Sequence, residues 1–245
     1  MFRSIYQFYS NVLLKGYLLP FYYRLLRGFF KLLGVFAKVS LSQFSEDTII
    51  EIILKKGKRK NGVFVDVGCN HPIEYNNTYL LYLKGWRGIN IDGNGSLIEL
   101  YNKFRKGDIN LHQLVSNKEK EVVFNLSYKD KISTIDSSHM SSLGEDKFPD
   151  HLKVKMTTKT LNTILLEHYH NKRDIDLLCI DVENHDFEVL SSIDLEKYKP
   201  YLIVIEMLDF SINNAQENQV YKLLTGKGYT LSHFVFSNGF FIRIE

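Results

Sequence analysis

The stretch that decides the fold is Gly62-Val-Phe-Val-Asp-Val-Gly68, a short apolar run that ends in an acidic residue and a glycine. Such a run predicts a strand that is buried on both faces, as in a parallel sheet. Three later runs have the same character, namely Gly88-Ile-Asn-Ile-Asp92, Ile175-Asp-Leu-Leu-Cys-Ile-Asp181 and Tyr201-Leu-Ile-Val-Ile-Glu206. Each of these predicted strands therefore brings a carboxylate to its carboxyl end.

Helical patterns alternate with the strands along the chain. Helices are predicted to begin near Ser45, Asn77, Ser96, Thr160, Asp186 and Gln216, and further strands cover Ile109–Val115 and Glu121–Ser127. Residues 128–157 are polar and predict a long irregular loop, which in a compact domain is usually functional or mobile. Alternation of this kind is typical of a doubly wound α/β sheet.

The chain ends in a different pattern. Tyr229–Phe236 and Phe240–Ile244 are aromatic-rich runs separated only by Ser237-Asn238-Gly239, and Asn-Gly between strands indicates a hairpin. A hairpin makes the last two strands antiparallel. The predicted fold class is α/β: a Rossmann-like, doubly wound, mostly parallel seven-stranded sheet with an antiparallel C-terminal hairpin, plus an N-terminal helical extension. We divide the chain into that extension, residues 1–43, and one domain, residues 44–245.

Charge is distributed unevenly along the chain. Residues 1–45 carry six basic side chains and no acidic one, which leaves 31 − 6 = 25 basic and 28 acidic residues, a net charge of −3, in the remainder. A near-neutral body argues against nucleic-acid binding.

The two cysteines, Cys69 and Cys179, are too few for a disulfide framework or a cysteine-rich zinc module. This sparse use of cysteine is typical of a reducing compartment, so we expect a cytoplasmic location.

The first 40 residues are rich in Phe, Tyr and Leu. No apolar run there reaches the roughly 18–20 residues that span a bilayer, because single Lys or Arg residues interrupt each one. The pattern predicts two helices, at 4–18 and 21–38, separated by Pro20. Helices of this composition can lie in an anionic membrane interface, which would make the protein peripheral at a membrane. The alternatives are packing on the domain or on a second subunit, and a targeting segment.

Ligands of an open α/β sheet bind outside the carboxyl ends of its strands. The residues there are Asp66-Val-Gly-Cys-Asn70, Asp92-Gly-Asn94, Ser116-Asn117, Asp181-Val-Glu-Asn-His185 and Glu206. A nicotinamide dinucleotide needs the pattern G-x-G-x-x-G for its pyrophosphate, whereas Gly68-Cys-Asn-His-Pro-Ile73 lacks two of the glycines. S-adenosylmethionine has no phosphate, and its ammonium and sulfonium are cations that suit carboxylates. We therefore expect S-adenosylmethionine as the cofactor, with a nicotinamide oxidoreductase as the alternative.

From about Phe44 to Glu245 the chain resembles the FkbM-like family of S-adenosylmethionine-dependent methyltransferases. The matching stretches are Phe-Val-Asp-Val-Gly-Cys-Asn-His-Pro (64–72), Asn-Asn-Thr-Tyr (76–79), Gly-Trp-Arg-Gly-Ile-Asn-Ile-Asp (85–92), Ile-Asp-Val-Glu-Asn-His-Asp-Phe-Glu-Val-Leu (180–190) and Lys-Tyr-Lys-Pro (197–200). The resemblance implies methylation of a hydroxyl oxygen, often on a saccharide, glycan or polyketide. Two positions depart from the family pattern: Asn184 stands where glycine is common, and His71-Pro72-Ile73 replaces a second glycine in the first loop.

These considerations give a set of candidate site residues. The cofactor-binding set is Asp66, Gly68, Cys69, Asn70, Asn77, Thr78, Asp92, Asn94, Ser116 and Asp181, with Asp92 expected to accept hydrogen bonds from the ribose. The contacts through Asn77 and Thr78 are implied by the resemblance, and both residues can equally cap a helix. Ser133 and Glu206 are the candidate substrate-binding residues.

The candidate catalytic residues are His185, Asp181 and Glu183. Methyl transfer to a hydroxyl requires alignment of the acceptor oxygen and removal of its proton. His185 suits the base because the ordinary pKa of histidine is about 6.5. Asp181 or Glu183 could act as base, as orienting group or as a ligand of Mg²⁺, but two carboxylates without a third ligand do not favour a metal. A non-catalytic protein that retains the fold is a further alternative.

Overall fold

A computed structural model describes residues 18–35, 38–126, 152–170 and 173–244. The helices are α1 (18–32), α2 (Glu46–Lys56), α3 (Tyr79–Leu83), α4 (Gly95–Phe104), α5 (Leu161–His168), α6 (Asp186–Ser191), α7 (Leu195–Tyr198) and α8 (Gln219–Gly226), with a 3₁₀ helix at Ile212–Glu217. The strands are β1 (Val63–Val67), β2 (Arg87–Asp92), β3 (Ile109–His112), β4 (Leu114–Val115), β5 (Glu121–Leu126), β6 (Leu152–Lys159), β7 (Leu177–Ile180), β8 (Leu202–Glu206), β9 (Tyr229–Val235) and β10 (Asn238–Arg243). None of the helices described is both long and apolar enough to cross a bilayer.

The main sheet has seven strands in the order β3-β2-β1-β7-β8-β10-β9. Strands β3, β2, β1, β7 and β8 are mutually parallel, and β10 runs antiparallel to both β8 and β9. The predicted fold class is confirmed. The reversal of strand order between β1 and β7 creates a crevice at the carboxyl edge of the sheet.

Alternation along the strands gives the sheet two buried faces. In β1, Phe64 packs with α2, whereas Val65 and Val67 pack on the opposite face with α5 and α6. All three side chains are buried, and each large apolar side chain removed from water in this way contributes roughly 1.5–3 kcal/mol. The buried faces therefore fix the register of β1 and with it the position of Asp66.

A second sheet, in the order β4-β6-β5, was not predicted. Residues 152–157 were expected to belong to an irregular loop, and that expectation is wrong, because they form most of β6. The predicted strand Ile109–Val115 is also divided into β3 and β4, which belong to different sheets. Leu114 on β4 packs against Phe124 on β5, so the small sheet has an apolar surface beside the main one.

Two predicted boundaries are corrected. Helix α1 includes Pro20 and ends at residue 32, where Gly34, with φ 65°, closes it in a left-handed turn. The predicted helix at 4–18 lies outside the described residues except for its last residue. The C-terminal hairpin turns at Phe236 and Ser237, since Asn238 already pairs with Val235 and Gly239 packs against Met207.

Candidate active site

The carboxyl ends of β1, β2, β7 and β8 surround a cavity of about 680 Å³. Its lining includes six carboxylates, Glu46, Asp66, Asp92, Asp181, Glu183 and Glu206, and no lysine or arginine among the described residues. A volume of this size suits a small-molecule ligand. The cavity is therefore strongly acidic, and among the described residues histidine supplies its only basic side chains, His71 and His185.

The first loop is held by its own backbone. The amides of Gly68 and Cys69 both donate to the Ile91 carbonyl, at 2.9 and 3.2 Å. Gly68 has φ +75°, and a Cβ there would lie 1.7 Å from the Asp181 carbonyl oxygen. Glycine at 68 is consequently required by the close approach of the ends of β1 and β7, whether or not a ligand is bound.

Asp92 connects the loops that follow β1 and β2. Its two carboxylate oxygens accept the Asn70 amide at 2.9 Å and the Asn94 amide at 2.8 Å. Asn94 in turn caps α4 by accepting the Ser96 amide at 3.1 Å. Burial raises the pKa of Asp92, and the two amide hydrogen bonds oppose that rise. Asp92 thus already has a structural role at the position where a ribose contact is predicted.

Buried polar groups outside the cavity lining hold the Asp66 side chain in place. The Thr78 hydroxyl donates to it at 2.8 Å and accepts from Arg105 at 3.2 Å. Arg105 is fully buried and pairs with Asp108 at 3.0 Å. Burial raises the pKa of Asp66 to about 6, against the lowering effects of Thr78 and Arg105. Thr78 therefore positions Asp66 and is not itself part of the cavity lining.

The backbone donors of the first loop are consumed inside the protein. Besides the amides of Gly68, Cys69 and Asn70, those of Ile73 and Glu74 reach His71 Nδ1 at 3.3 and 2.9 Å. Pro72 has no amide hydrogen. A pyrophosphate is bound by several amides that point at it from such a loop, and here those amides are already engaged.

A second group of carboxylates follows β7 and β8. The pKa of Asp181 is raised to about 8, first by burial and then by repulsion from Glu206 and Asp66. Asp181 lines the open cavity and is exposed to solvent there. The pKa of Glu183 is raised to about 7 by burial and by Asp181, and that of Glu206 to about 7 by burial and by Glu183.

The loop after β7 has a demanding backbone. Glu183 and Asn184 have φ values of 55° and 70°, both in the left-handed region. Glycine and asparagine tolerate this conformation better than other residues do. Asn184 can therefore stand where glycine is common in the family that the chain resembles. The loop is closed by Asp186, whose carboxylate accepts the Val182 amide at 3.0 Å.

His185 lies at the start of α6 and lines the cavity. Its Nε2 is 2.9 Å from the Ser116 hydroxyl, and its Nδ1 is 3.7 Å from a carboxylate oxygen of Glu188. Ser116 is buried and does not line the cavity. Ser116 therefore orients the imidazole instead of meeting a ligand directly.

The predicted site residues fall into three groups. Most line the one cavity, namely Asp66, Gly68, Cys69, Asn70, Asn77, Asp92, Asn94, Asp181, Glu183, His185 and Glu206. Thr78 and Ser116 lie directly behind it, each bonded to a lining residue. Ser133 lies outside the described residues.

Several cavity residues escaped the sequence-based prediction. Glu46 directly follows the predicted helix start at Ser45, and no sequence pattern indicated that it is buried and lines the cavity. Asn238, in the predicted turn, donates to Glu46 at 3.3 Å. Leu114 and Phe124 form an apolar part of the cavity wall beside Gly93. The apolar alternation in β5 was the only signal for Phe124. In the described ranges, no group of three metal-ligating side chains is arranged to hold an ion.

Comparison with known proteins gives one match. The family described as "Methyltransferase FkbM domain" matches residues 66–231 of the chain, from Asp66 in β1 to Leu231 in β9, and so includes most of the residues that line the cavity. No curated protein matches the sequence.

Proposed function

The chain belongs to the FkbM methyltransferase family, and on that premise we propose that it transfers a methyl group from S-adenosylmethionine to a hydroxyl of a saccharide or glycan. The observation that carries the cofactor assignment is the cavity lined by six carboxylates and, among the described residues, by no lysine or arginine. Carboxylates in that environment favour a positively charged ligand. Burial and mutual repulsion raise their pKa values, and a bound cation would offset both effects.

The chain's own residues fit the methyl donor in three places. Asp66 and Asn70 line the part of the cavity next to β1, where the cationic methionine end would lie. Asp92 would accept from the ribose hydroxyls with the lone pairs that its two amide donors leave unused. The apolar wall of Leu114 and Phe124 would pack against the adenine. When bound, S-adenosylmethionine supplies an electrophilic methyl group.

A nicotinamide dinucleotide fits the same cavity poorly. The amides of residues 68, 69 and 70 already donate to Ile91 and Asp92, so a pyrophosphate would find no free donors among them. Its negative charge would also lie among carboxylates, which costs free energy instead of gaining it. Both arguments favour a cationic cofactor without phosphate over the oxidoreductase alternative.

His185 is the proposed base for the acceptor hydroxyl. Ser116 holds Nε2, and Glu188 lies near Nδ1, so the ring has a fixed orientation at the cavity wall. Because Nε2 is hydrogen-bonded to Ser116, Nδ1 would take the proton of the acceptor hydroxyl, and Glu188, 3.7 Å from it, would stabilise the imidazolium that forms. Asp181, whose pKa is raised to about 8, is the second candidate, because a base works best with a pKa near the working pH.

Features near the hairpin support a saccharide acceptor. Phe236 is 71% exposed and stacks on Phe44, with ring centroids 3.9 Å apart. Phe44 lines the cavity, and beside it Ser237 donates to Glu206 at 3.3 Å. An aromatic surface next to hydroxyl and carboxylate groups suits a sugar ring, which has apolar C–H faces and polar hydroxyl edges.

The test is transfer of a labelled methyl group from S-adenosylmethionine into a glycan extract, followed by identification of the labelled hydroxyl. His185→Ala should bind the cofactor as the wild type does and lose at least about a hundredfold in turnover. Normal turnover in that variant would remove His185 as the base. Cofactor binding without transfer to any glycan would favour a non-catalytic protein that retains the fold.

A further inference from the structure

Helix α1 presents a continuous apolar face to solvent. Seven large side chains on it, and Leu33 in the turn that follows, are at least 40% exposed, namely Leu18, Phe21, Tyr22, Leu25, Leu26, Phe29, Leu32 and Leu33. At 100° per residue they cover an arc of about 140° on one side of the helix. Monomeric proteins rarely leave a patch of this kind uncovered, so a partner is expected there.

The opposite face of α1 is cationic and faces the body of the protein. Arg24, Arg27 and Lys31, together with Lys84 at the end of α3, line a cleft of about 320 Å³. Lys84 is paired with Glu51 at 2.6 Å. The three cations of α1 form no ion pair with a carboxylate that the structure describes. The helix therefore carries positive charge that no described carboxylate pairs with, in addition to its exposed apolar face.

The neighbouring sequence has the same sign of charge. Residues 1–45 contain no acidic side chain at all, whereas the remainder of the chain is net negative. A partner that suits this segment must combine an apolar phase with negative charge. A second copy docked through the same face would cover the apolar side chains but would leave the cations without counter-charge.

We propose that α1 lies in the plane of an anionic lipid bilayer and holds the domain at its surface. The apolar face enters the boundary between headgroups and acyl chains, which takes about 5–10 Å of such a helix. Arg24, Arg27 and Lys31 are exposed, and their long flexible stems let their charges turn from the cleft towards the lipid phosphates. This surface is separate from the acidic cavity, so the proposal does not depend on the methyl-transfer assignment.

The test is sedimentation of the full chain with vesicles of phosphatidylcholine alone or mixed with a minority of phosphatidylglycerol. The wild type should bind the anionic vesicles much more tightly. R24Q/R27Q/K31Q should lower that affinity about a hundredfold, since each basic side chain near such a surface contributes roughly fivefold. L25S/F29S should lower it at least about tenfold through lost apolar burial.

The matched control is K60Q/K106Q/K118Q, which removes the same charge from exposed positions on the body. It should bind the vesicles as the wild type does. Equal weakening by the two triple variants, or equal binding of the wild type to neutral and anionic vesicles, would overturn the proposal. So would light scattering that shows a dimer which only L25S/F29S dissociates. Calorimetry with S-adenosylmethionine on the same variants reports separately on the cavity, and its outcome should not change.

Discussion

Raising the pH from 6 to 8 should strengthen the binding of S-adenosylmethionine to the acidic cavity. Burial raises the pKa of Asp92, and four further cavity carboxylates have raised pKa values of about 6 for Asp66, about 7 for Glu183 and Glu206, and about 8 for Asp181. Burial is the first cause in each case, and in these four repulsion from neighbouring carboxylates adds to it. Protons therefore occupy much of the cavity at pH 6 and leave it as the pH rises.

The magnitude follows from these values. Between pH 6 and pH 8 the four groups together lose about two to three protons, so the cavity becomes correspondingly more negative. A cation that requires one ionised carboxylate gains up to about tenfold in affinity per pH unit below that group's pKa. With Asp181 near 8, we expect the dissociation constant to fall at least about tenfold between pH 6 and pH 8.

The same groups set the sign of the stability change. Their folded-state pKa values lie above those of an unfolded chain, so they contribute stability below about pH 4, and that contribution is lost as the pH rises through 6 to 8. A bound cation offsets the negative charge of the ionised carboxylates in the cavity. The thermal stabilisation by S-adenosylmethionine should therefore be greater at pH 8 than at pH 6.

Isothermal titration calorimetry measures the dissociation constant and the protons released on binding, and thermal unfolding with and without the ligand measures the stabilisation. Titrations at pH 7 in two buffers with different ionisation enthalpies should show release of about one proton on binding. Asp181→Asn should bind more weakly at pH 8 and release fewer protons, whereas Glu99→Gln, an exposed acid on α4, should match the wild type. An affinity that does not change with pH, with no proton release, would refute the electrostatic reasoning.

The remaining predictions concern structure around the cavity. Gly68→Ala should destabilise the protein by at least about 3 kcal/mol in urea unfolding, because its Cβ would meet the Asp181 carbonyl oxygen, whereas Gly85→Ala, at φ +90° with open space around it, should cost only about 1 kcal/mol. Equal costs would contradict this. Arg105→Met should cost about 3–5 kcal/mol by the same measurement, because it leaves a buried carboxylate unpaired. Asp92→Ala should weaken cofactor binding more than about tenfold, and unchanged affinity would end its assignment to the ribose.

The main sheet could be predicted because its strands are buried on both faces. Val63–Val67 and Leu202–Glu206 are apolar runs whose only sensible environment is the centre of such a sheet. Strand β6 could not be predicted in the same way. Lys153 and Lys155 alternate with half-buried side chains in a sheet of only three strands, and that pattern does not differ from that of a polar loop.

The candidate site shows the same division. The residues at strand ends, such as Asp66 and Asp181, could be located because strand direction alone brings them to one edge. Glu46 could not, and Thr78 was a candidate only through the family resemblance, since their places depend on how a helix start and a loop fold back over that edge. The hairpin turn was misplaced because Asn-Gly is the preferred turn pair, whereas pairing with β8 and the contact with Met207 keep Asn238 and Gly239 in the strand.

The most direct test of the central claim is a calorimetric titration of the full chain with S-adenosylmethionine at pH 8. We predict saturable binding of one molecule per chain, which a nicotinamide dinucleotide does not displace. An absence of heat at millimolar ligand, or tight binding of the dinucleotide in its place, would contradict the assignment of the acidic cavity to a cationic methyl donor.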